Sequence, residues 1–263
     1  MEVVPLHEPA EVAALAADIV EEQVRRRPAT VLGVATGSSP MATYTELIRR
    51  HRAGTGPSYG DVTTFTLDEY VGLPDGDPQG YRTTILRELA CPLGVPQQQV
   101  AAPDPTASGL PTAGERYEDL LANAGGVDLQ ILGIGANGHL AFNEPGSSLA
   151  SRTRIKTLTA KTRQDNARFF HDIEDVPRHV LTQGLGTILD ARHLLLIATG
   201  HAKARAVAAA VEGPLTASCP ASILQMHRRV TVLVDSAASR GLARLAYYLD
   251  VWHHKPDWQR PGG

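Results

Sequence analysis

The chain has 263 residues, of which 43% are hydrophobic and 20% charged, with a formal net charge of −3 and two cysteines. That length suits one sizeable core, the charge gives no global attraction to nucleic acid, and two cysteines are too few for a disulfide framework. No window approaches a membrane-spanning apolar run, and Met1 to Ala10 has no basic start leading into an apolar stretch, so neither a span nor a secretory signal is expected and the reading is cytoplasmic.

In chain order, Val12, Leu15, Ala16, Ile19 and Val24 recur at helical spacing between Pro9 and Arg27. Val31 to Ala35 reads as a buried strand, and Thr36 to Pro40 as a turn into a helix that Pro40 can open and that runs to about Arg52. Val62 to Leu67 is a second strand, ending at Asp68-Glu69-Tyr70, with a Pro/Gly/Asp loop from Gly72 to Gly80 and a helix around Tyr81 to Leu89 behind it. After a Pro/Gly-rich connection from Pro92 to Pro111, a helix from about Glu115 to Asn123 leads to the apolar run Val127 to Leu132 and the turn Gly133 to Gly146. The polar region Ser151 to Val180 has little strand character and is expected to form a small, mobile helical flap. Strand-like runs return at His193 to Ala198 and Val230 to Asp235, followed by helical patterns at Ala202 to Glu212 and Ala237 to Leu249.

At least five strands alternating with helices predict a Rossmann-like α/β fold, a mostly parallel sheet with helices on both faces. The whole chain, 1–263, reads as one domain, with the flap at about 151–180. Such sheets bind small molecules at the carboxyl ends of their strands. Thr36 to Ser39, Asp68 to Tyr70, Gly135 to Glu144 and Thr199 to Lys203 would therefore converge on one edge.

Gly133, Gly135 and Gly138 match G-x-G-x-x-G after a strand, but the dinucleotide fingerprint also needs a helix opening at the third Gly and an acid about 20 residues on. Here Asn143-Glu144-Pro145-Gly146 breaks a helix and no such acid follows, so nucleotide binding is rejected. The Thr36 to Ser39 loop lacks a P-loop Lys; at a helix N-terminus it suits a phosphate monoester, or it is an ordinary helix cap. Asp68 and Glu69 at a strand end are either caps for the next turn or catalytic carboxylates, whose pKa burial can raise to suit a general base. His139 is flanked by Asn137 and Glu144 on one loop, so a partner could fix its tautomer. That spacing offers too few ligands for zinc, and no metal is expected. Cys91 and Cys219 read as buried or half-buried thiols. Lys203, one of four lysines, and Arg168 are surface charges or, if both face the Thr36 to Ser39 loop, a phosphate clamp.

Taken together these segments resemble the glucosamine-6-phosphate deaminase (glucosamine-6-phosphate isomerase) family over nearly the whole chain. The resemblance rests on Thr36-Gly37-Ser38-Ser39-Pro40-Met41, Phe65 to Leu73, Gly133 to Pro145, Ser147 to Leu158 and Ala208 to Gly213. It implies conversion of glucosamine 6-phosphate and water to fructose 6-phosphate and ammonia in amino-sugar catabolism, without metal or organic cofactor. It implies Asp68 as the base that moves a proton from C2 to C1, and His139 as the ring-opening group, oriented by Glu144 and by residue 137. Gly37, Ser38 and Ser39, with Arg168 and Lys203, would hold the phosphate. Many members carry Asp where this chain has Asn137; Asn can still accept a hydrogen bond from the imidazole but supplies no charge, which falls to Glu144.

Ser147, Ser148, Arg154 and Lys156 match the site at which hexameric members bind N-acetylglucosamine 6-phosphate as activator, with Tyr247 approximating an aromatic residue there. The resemblance therefore implies a homo-oligomer, a hexamer if activation operates. The alternatives are a 6-phosphogluconolactonase-like hydrolase, whose turn typically continues Ala-Ser-Leu-Phe-Pro where this chain has Leu140-Ala141-Phe142-Asn143-Glu144-Pro145, a galactosamine-6-phosphate deaminase, and a non-catalytic sugar-phosphate sensor.

Overall fold

Strand β1 (Glu2–Pro5) leads into helix α1 (Pro9–Arg26), whose entry is fixed by Glu11, its carboxylate accepting from the backbone N–H groups of His7 and Glu8 at 2.8 and 3.2 Å. There follow β2 (Val31–Val34), α2 (Ser38–Arg52), β3 (Thr63–Thr66), β4 (Asp68–Tyr70), α3 (Tyr81–Ile85), a π-helical turn, α4 (Cys91–Leu93), β5 (Val100–Ala101) and α5 (Leu110–Asn123). The second half contains β6 (Leu129–Leu132), β7 (Arg154–Thr157), α6 (Ala160–Asn166), β8 (His179–Thr182) and α7 (Leu185–Leu189). It closes with β9 (Leu194–Ala198), α8 (Ala204–Val211), β10 (Val230–Val234) and α9 (Leu245–His253). The structure is a computed structural model that describes residues 1–106, 109–167 and 170–260.

Seven strands form one sheet in the order β1-β10-β9-β6-β2-β3-β5, every neighbouring pair parallel. Side chains of β9 alternate between two cores, as the period of a strand requires. Leu194, Leu196 and Ala198 join Tyr117 and Leu121 of α5, Ile188 of α7 and Val207 of α8 on one face. Leu195 and Ile197 join Val12 and Ala16 of α1, Tyr44 and Leu47 of α2 and Ile85 of α3 on the other. Burial on both faces is why these strands read as continuous apolar runs.

The direction of strand order reverses between β2 and β6. After β2 the chain builds outward through β3 and β5; it then returns to lay β6 on the other side of β2 and adds β9 and β10 beyond it. A reversal of this kind splays the loops apart at the carboxyl ends and leaves a crevice there.

Three expectations need correcting. Asp68 does not end a strand of the main sheet; β3 stops at Thr66 and Asp68 opens β4, which belongs to a separate antiparallel sheet ordered β4-β8-β7. The region 151–180 has more strand character than its composition suggests, since β7 and the start of β8 fall in it and helix is confined to α6, besides a 3-10 turn at Ile173–Asp175. Both strands escaped notice because they lack an apolar run, the Arg154-Ile155-Lys156-Thr157 segment being half-buried on alternate residues. Cys219 is buried, but Cys91 is exposed.

Candidate active site

The crevice at the switch point is bordered on one side by α2. Gly37 precedes the helix, Gly37 and Ser38 are exposed, and the N–H groups of the first turn have no intrahelical partner, so a helix of 15 residues presents the positive end of its dipole to solvent. Ser39 is buried and tied across the crevice: its hydroxyl lies 2.9 Å from Thr199 Oγ1 and accepts from the Thr199 N–H at 3.2 Å. Thr199 opens the loop after β9, where Gly200 adopts φ +88° and donates its N–H to the Asp235 carboxylate at 3.0 Å. The half-buried Lys203 ends the following 3-10 turn. Three strand ends separated by some 200 residues of chain are thereby drawn together.

Adjacent carboxylates on β4 have different partners. Glu69 Oε1 accepts from the N–H of Tyr70 and of Tyr81, each at 2.9 Å, and Oε2 from that of Arg82 at 2.8 Å. It thus caps α3, which has no cap of its own at Gly80. Burial raises its carboxyl, and the three backbone donors oppose that rise. Asp68 is buried, 7% exposed, and its carboxylate accepts no hydrogen bond from the described residues. Burial, reinforced by the neighbouring charge of Glu69, pushes its carboxyl well above the usual range. A buried carboxylate that accepts no hydrogen bond from the described residues and has a raised pKa is equipped to take a proton from carbon.

The turn after β6 forms the opposite wall. Gly138 has φ +84° and hydrogen-bonds back to Gly135 O at 2.9 Å, while Gly135 N donates to His139 O at 3.0 Å. A Cβ on Gly135 would lie 2.2 Å from His139 Cε1, and one on Gly138 would lie 2.6 Å from Cys219 Sγ. Glycine is required at both places, at the first so that the imidazole can lie over the backbone. Ala141 adopts φ 51°, the one positive φ among described non-glycine residues, and strain of this kind collects in functional turns.

His139 Nδ1 stands 3.7 Å from Glu144 Oε1, beyond hydrogen-bond length. Asn137 does not reach the imidazole ring as expected; its amide donates to Glu144 Oε2 at 2.6 Å and its carbonyl accepts from the His139 backbone N–H at 3.2 Å. The imidazole beside it, with the Asn137 amide and the Thr162 hydroxyl, holds the Glu144 carboxyl down to about 2 against the opposing effect of burial. The turn is joined to β4 through β8: Phe142 N–H donates to Thr182 Oγ1 at 3.2 Å, Thr182 pairs with Asp68 in the small sheet, and Asn143 donates to Gln183 O at 2.8 Å. These bridging residues, Thr182 and Gln183, gave no sequence signal.

Of the other expected residues, Arg168 lies outside the described residues. Arg154 and Lys156 project from one face of β7 and are half-buried, Ser147 is buried with its hydroxyl unpartnered among the described residues, and Ser148 is exposed. Tyr247 is exposed on α9, which packs against β1 at the edge of the parallel sheet, whereas Arg154 and Lys156 lie on β7 of the small antiparallel sheet. Among the described residues no group of three or more His, Cys, Asp or Glu could hold a metal ion, and no helix is long and apolar enough to cross a membrane.

A doubly wound sheet with a buried carboxylate, a His–Glu pair and a bare helix N-terminus at its switch point defines an α/β enzyme of acid–base chemistry on a small polar molecule. The sequence profile described as glucosamine-6-phosphate isomerases/6-phosphogluconolactonase matches residues 8–233, and the chain belongs to that family. It is 57% identical over 259 residues to a glucosamine-6-phosphate deaminase of Arthrobacter sp. (strain FB24), a match covering 98% of this chain and 99% of the relative. Identity to the glucosamine-6-phosphate deaminase of Mycolicibacterium smegmatis is 54% over 260 residues, again 98% and 99% of the two chains. Among solved structures, a monomeric glucosamine-6-phosphate deaminase superposes with a TM-score of 0.88 at 40% identity, over 92% of this chain and 100% of the other. A 6-phosphogluconolactonase from Trypanosoma cruzi superposes with a TM-score of 0.74 at 19% identity, over 92% and 97% of the two chains, which shows the fold they share.

Proposed function

We propose that this protein converts glucosamine 6-phosphate and water to fructose 6-phosphate and ammonia. The observation that carries the reading is the Asp68 carboxylate, buried, without a hydrogen-bond donor among the described residues and raised in pKa at the mouth of the crevice. His139, charge-supported by Glu144, assists opening of the sugar ring, with Asn137 holding Glu144 in place. Asp68 then takes the C2 proton and returns it at C1, which moves the double bond onto the C2–N bond. Water adds to that imine carbon and ammonia leaves, so one base serves both proton transfers. The phosphate sits on the free amides of Gly37, Ser38 and Ser39 at the start of α2, with Lys203 and Arg168 as cations.

The finer parts of the proposal are a single functional unit spanning the chain, a mobile segment around α6, a cytoplasmic setting in N-acetylglucosamine degradation, and a homo-oligomer. Activation by N-acetylglucosamine 6-phosphate at Ser147, Ser148, Arg154 and Lys156, with Tyr247 supplied across a subunit contact, belongs with them. Two half-buried cations on one face of β7 support a second phosphate site. A sigmoidal rate curve made hyperbolic by the acetylated sugar phosphate is expected from an oligomer; simple saturation indifferent to that ligand rejects the activation.

Purified protein incubated with glucosamine 6-phosphate, beside galactosamine 6-phosphate and 6-phosphogluconolactone, tests the central reading. Ammonia and fructose 6-phosphate in equal amounts from the first are expected. Absence of ammonia defeats the proposal, and an Asp68→Asn variant of undiminished rate removes Asp68 as the base.

A further inference from the structure

Helix α6 reaches the site at two points, one turn apart. Thr162 Oγ1 donates to Glu144 Oε1 at 2.9 Å, and Asn166 Nδ2 donates to the Tyr70 hydroxyl at 2.9 Å. Residues four apart share one face of a helix. A single face of α6 therefore touches both halves of the chemistry, the turn that carries His139 and the strand that carries Asp68.

The contact with Glu144 falls on the oxygen nearest the imidazole. Glu144 Oε1 is the atom 3.7 Å from His139 Nδ1, and that nitrogen is buried without a hydrogen-bond partner among the described residues. Thr162 holds Oε1 while Asn137 holds Oε2 at 2.6 Å, so the carboxylate is clamped by donors from two different segments. Because a carboxylate only accepts, the Thr162 hydroxyl must point its proton at Glu144. It is then free to accept from Thr159 Oγ1, 2.9 Å away, which also receives the Thr162 N–H at 3.1 Å as the cap of α6. Arg163 fastens the helix from its other side, donating to Val176 O at 3.1 Å and Ile173 O at 2.7 Å. At the second point, Tyr70 stacks on Tyr81 with ring centroids 4.8 Å apart and meets Phe142 of the turn at 6.2 Å.

We propose that Thr162 and Asn166 are positioning residues, through which α6 holds the Glu144–His139 pair and the Asp68 strand in the relative placement that ring opening and proton transfer both need. The inference rests on the deaminase reading above. Neither residue touches the reacting atoms; Thr162 acts by fixing where the Glu144 charge sits relative to the imidazole, and Asn166 by fixing the strand through Tyr70.

Steady-state kinetics of Thr162→Val, Thr162→Ser and Asn166→Leu, each checked for native circular dichroism, test this. Loss of one hydrogen bond to a charged group predicts that Thr162→Val lowers kcat about tenfold or more. The KM for glucosamine 6-phosphate should stay within about threefold of wild type, because Thr162 is not among the groups assigned to the phosphate. Thr162→Ser restores the donor and should recover most of the loss. Combining Thr162→Val with Asn166→Leu should cost less than the product of the single losses, since one helix transmits both. Wild-type kcat in Thr162→Val, equal damage from Ser and Val, or a loss confined to KM would each overturn the proposal. Should Thr162→Val not fold, Asn166→Leu carries the same test, with unchanged kcat as the overturning result. A wild-type protein that makes no fructose 6-phosphate is a different failure, that of the functional reading itself.

Discussion

Asp68 and Glu69 are neighbours of identical charge type and nearly equal burial, yet one is consumed by three backbone donors and the other by none of the described residues. Replacing Asp68 by Asn is expected to lower kcat by about two to four orders of magnitude, the span usual for a general base. It should also stabilise the fold at neutral pH. A carboxyl whose folded pKa is raised binds its proton more tightly in the folded state, so its favourable contribution is complete below the unfolded pKa and is lost as pH rises through the folded one. At pH 7, above the unfolded pKa, the wild type has therefore lost part of that contribution, a loss the Asn variant does not share. Thermal midpoints of the two should converge as pH falls toward the ordinary carboxylate range; a gap that widens on acidification would contradict the assignment. Gly135→Ala should lower kcat about a hundredfold while the protein remains folded, since the new methyl would displace the imidazole by about an ångström. At this scale the sequence was informative: polar residues on a glycine-broken turn pointed to Asn137, His139 and Glu144, and an acid pair to Asp68. Which member of the pair was engaged depended largely on where Tyr81 and Arg82 would fall, twelve or more residues away, with only the Tyr70 N–H supplied locally.

Among elements, the long apolar strands and α1, α2 and α5 were legible because burial on both sheet faces, or on one helix face, leaves a periodic imprint. The small sheet was not. Its strands run three or four residues, β4 takes its partner β8 from about 110 residues away, and β4 follows β3 with only Leu67 between them. α3 opens a helical run that continues through the π-helical turn into α4, and the N–H groups at its start depend on Glu69. Glu69→Ala should cost about 2 kcal/mol by orphaning its buried donors, read as a lower thermal midpoint of several degrees. Activity should drop with it, because the same carboxylate ties β4 to α3 and so sets the strand on which Asp68 sits.

For the whole molecule, the seven-stranded parallel sheet is the rigid member and its switch point sets where chemistry can occur. Leu196, fully buried at the middle of the interior strand β9, should cost about 2–5 kcal/mol on truncation to Ala, with kcat of the remaining folded enzyme little changed. Chemical denaturation paired with kinetics separates the two effects. The crevice above β2 and β6 has finite room, and the bare Cα of Gly135 marks its floor beside β6. In nucleotide-binding folds a glycine at this place keeps the backbone clear for an incoming pyrophosphate. Here the clearance is already spent on the chain's own imidazole, packed where a Cβ would stand. On the proposed assignment the phosphate lodges one strand over, at the head of α2, and the length of the carbon chain sets which carbon meets His139 and which meets Asp68. On that assignment the motif that looks like a cofactor berth becomes the fixed end of a ruler for a six-carbon substrate.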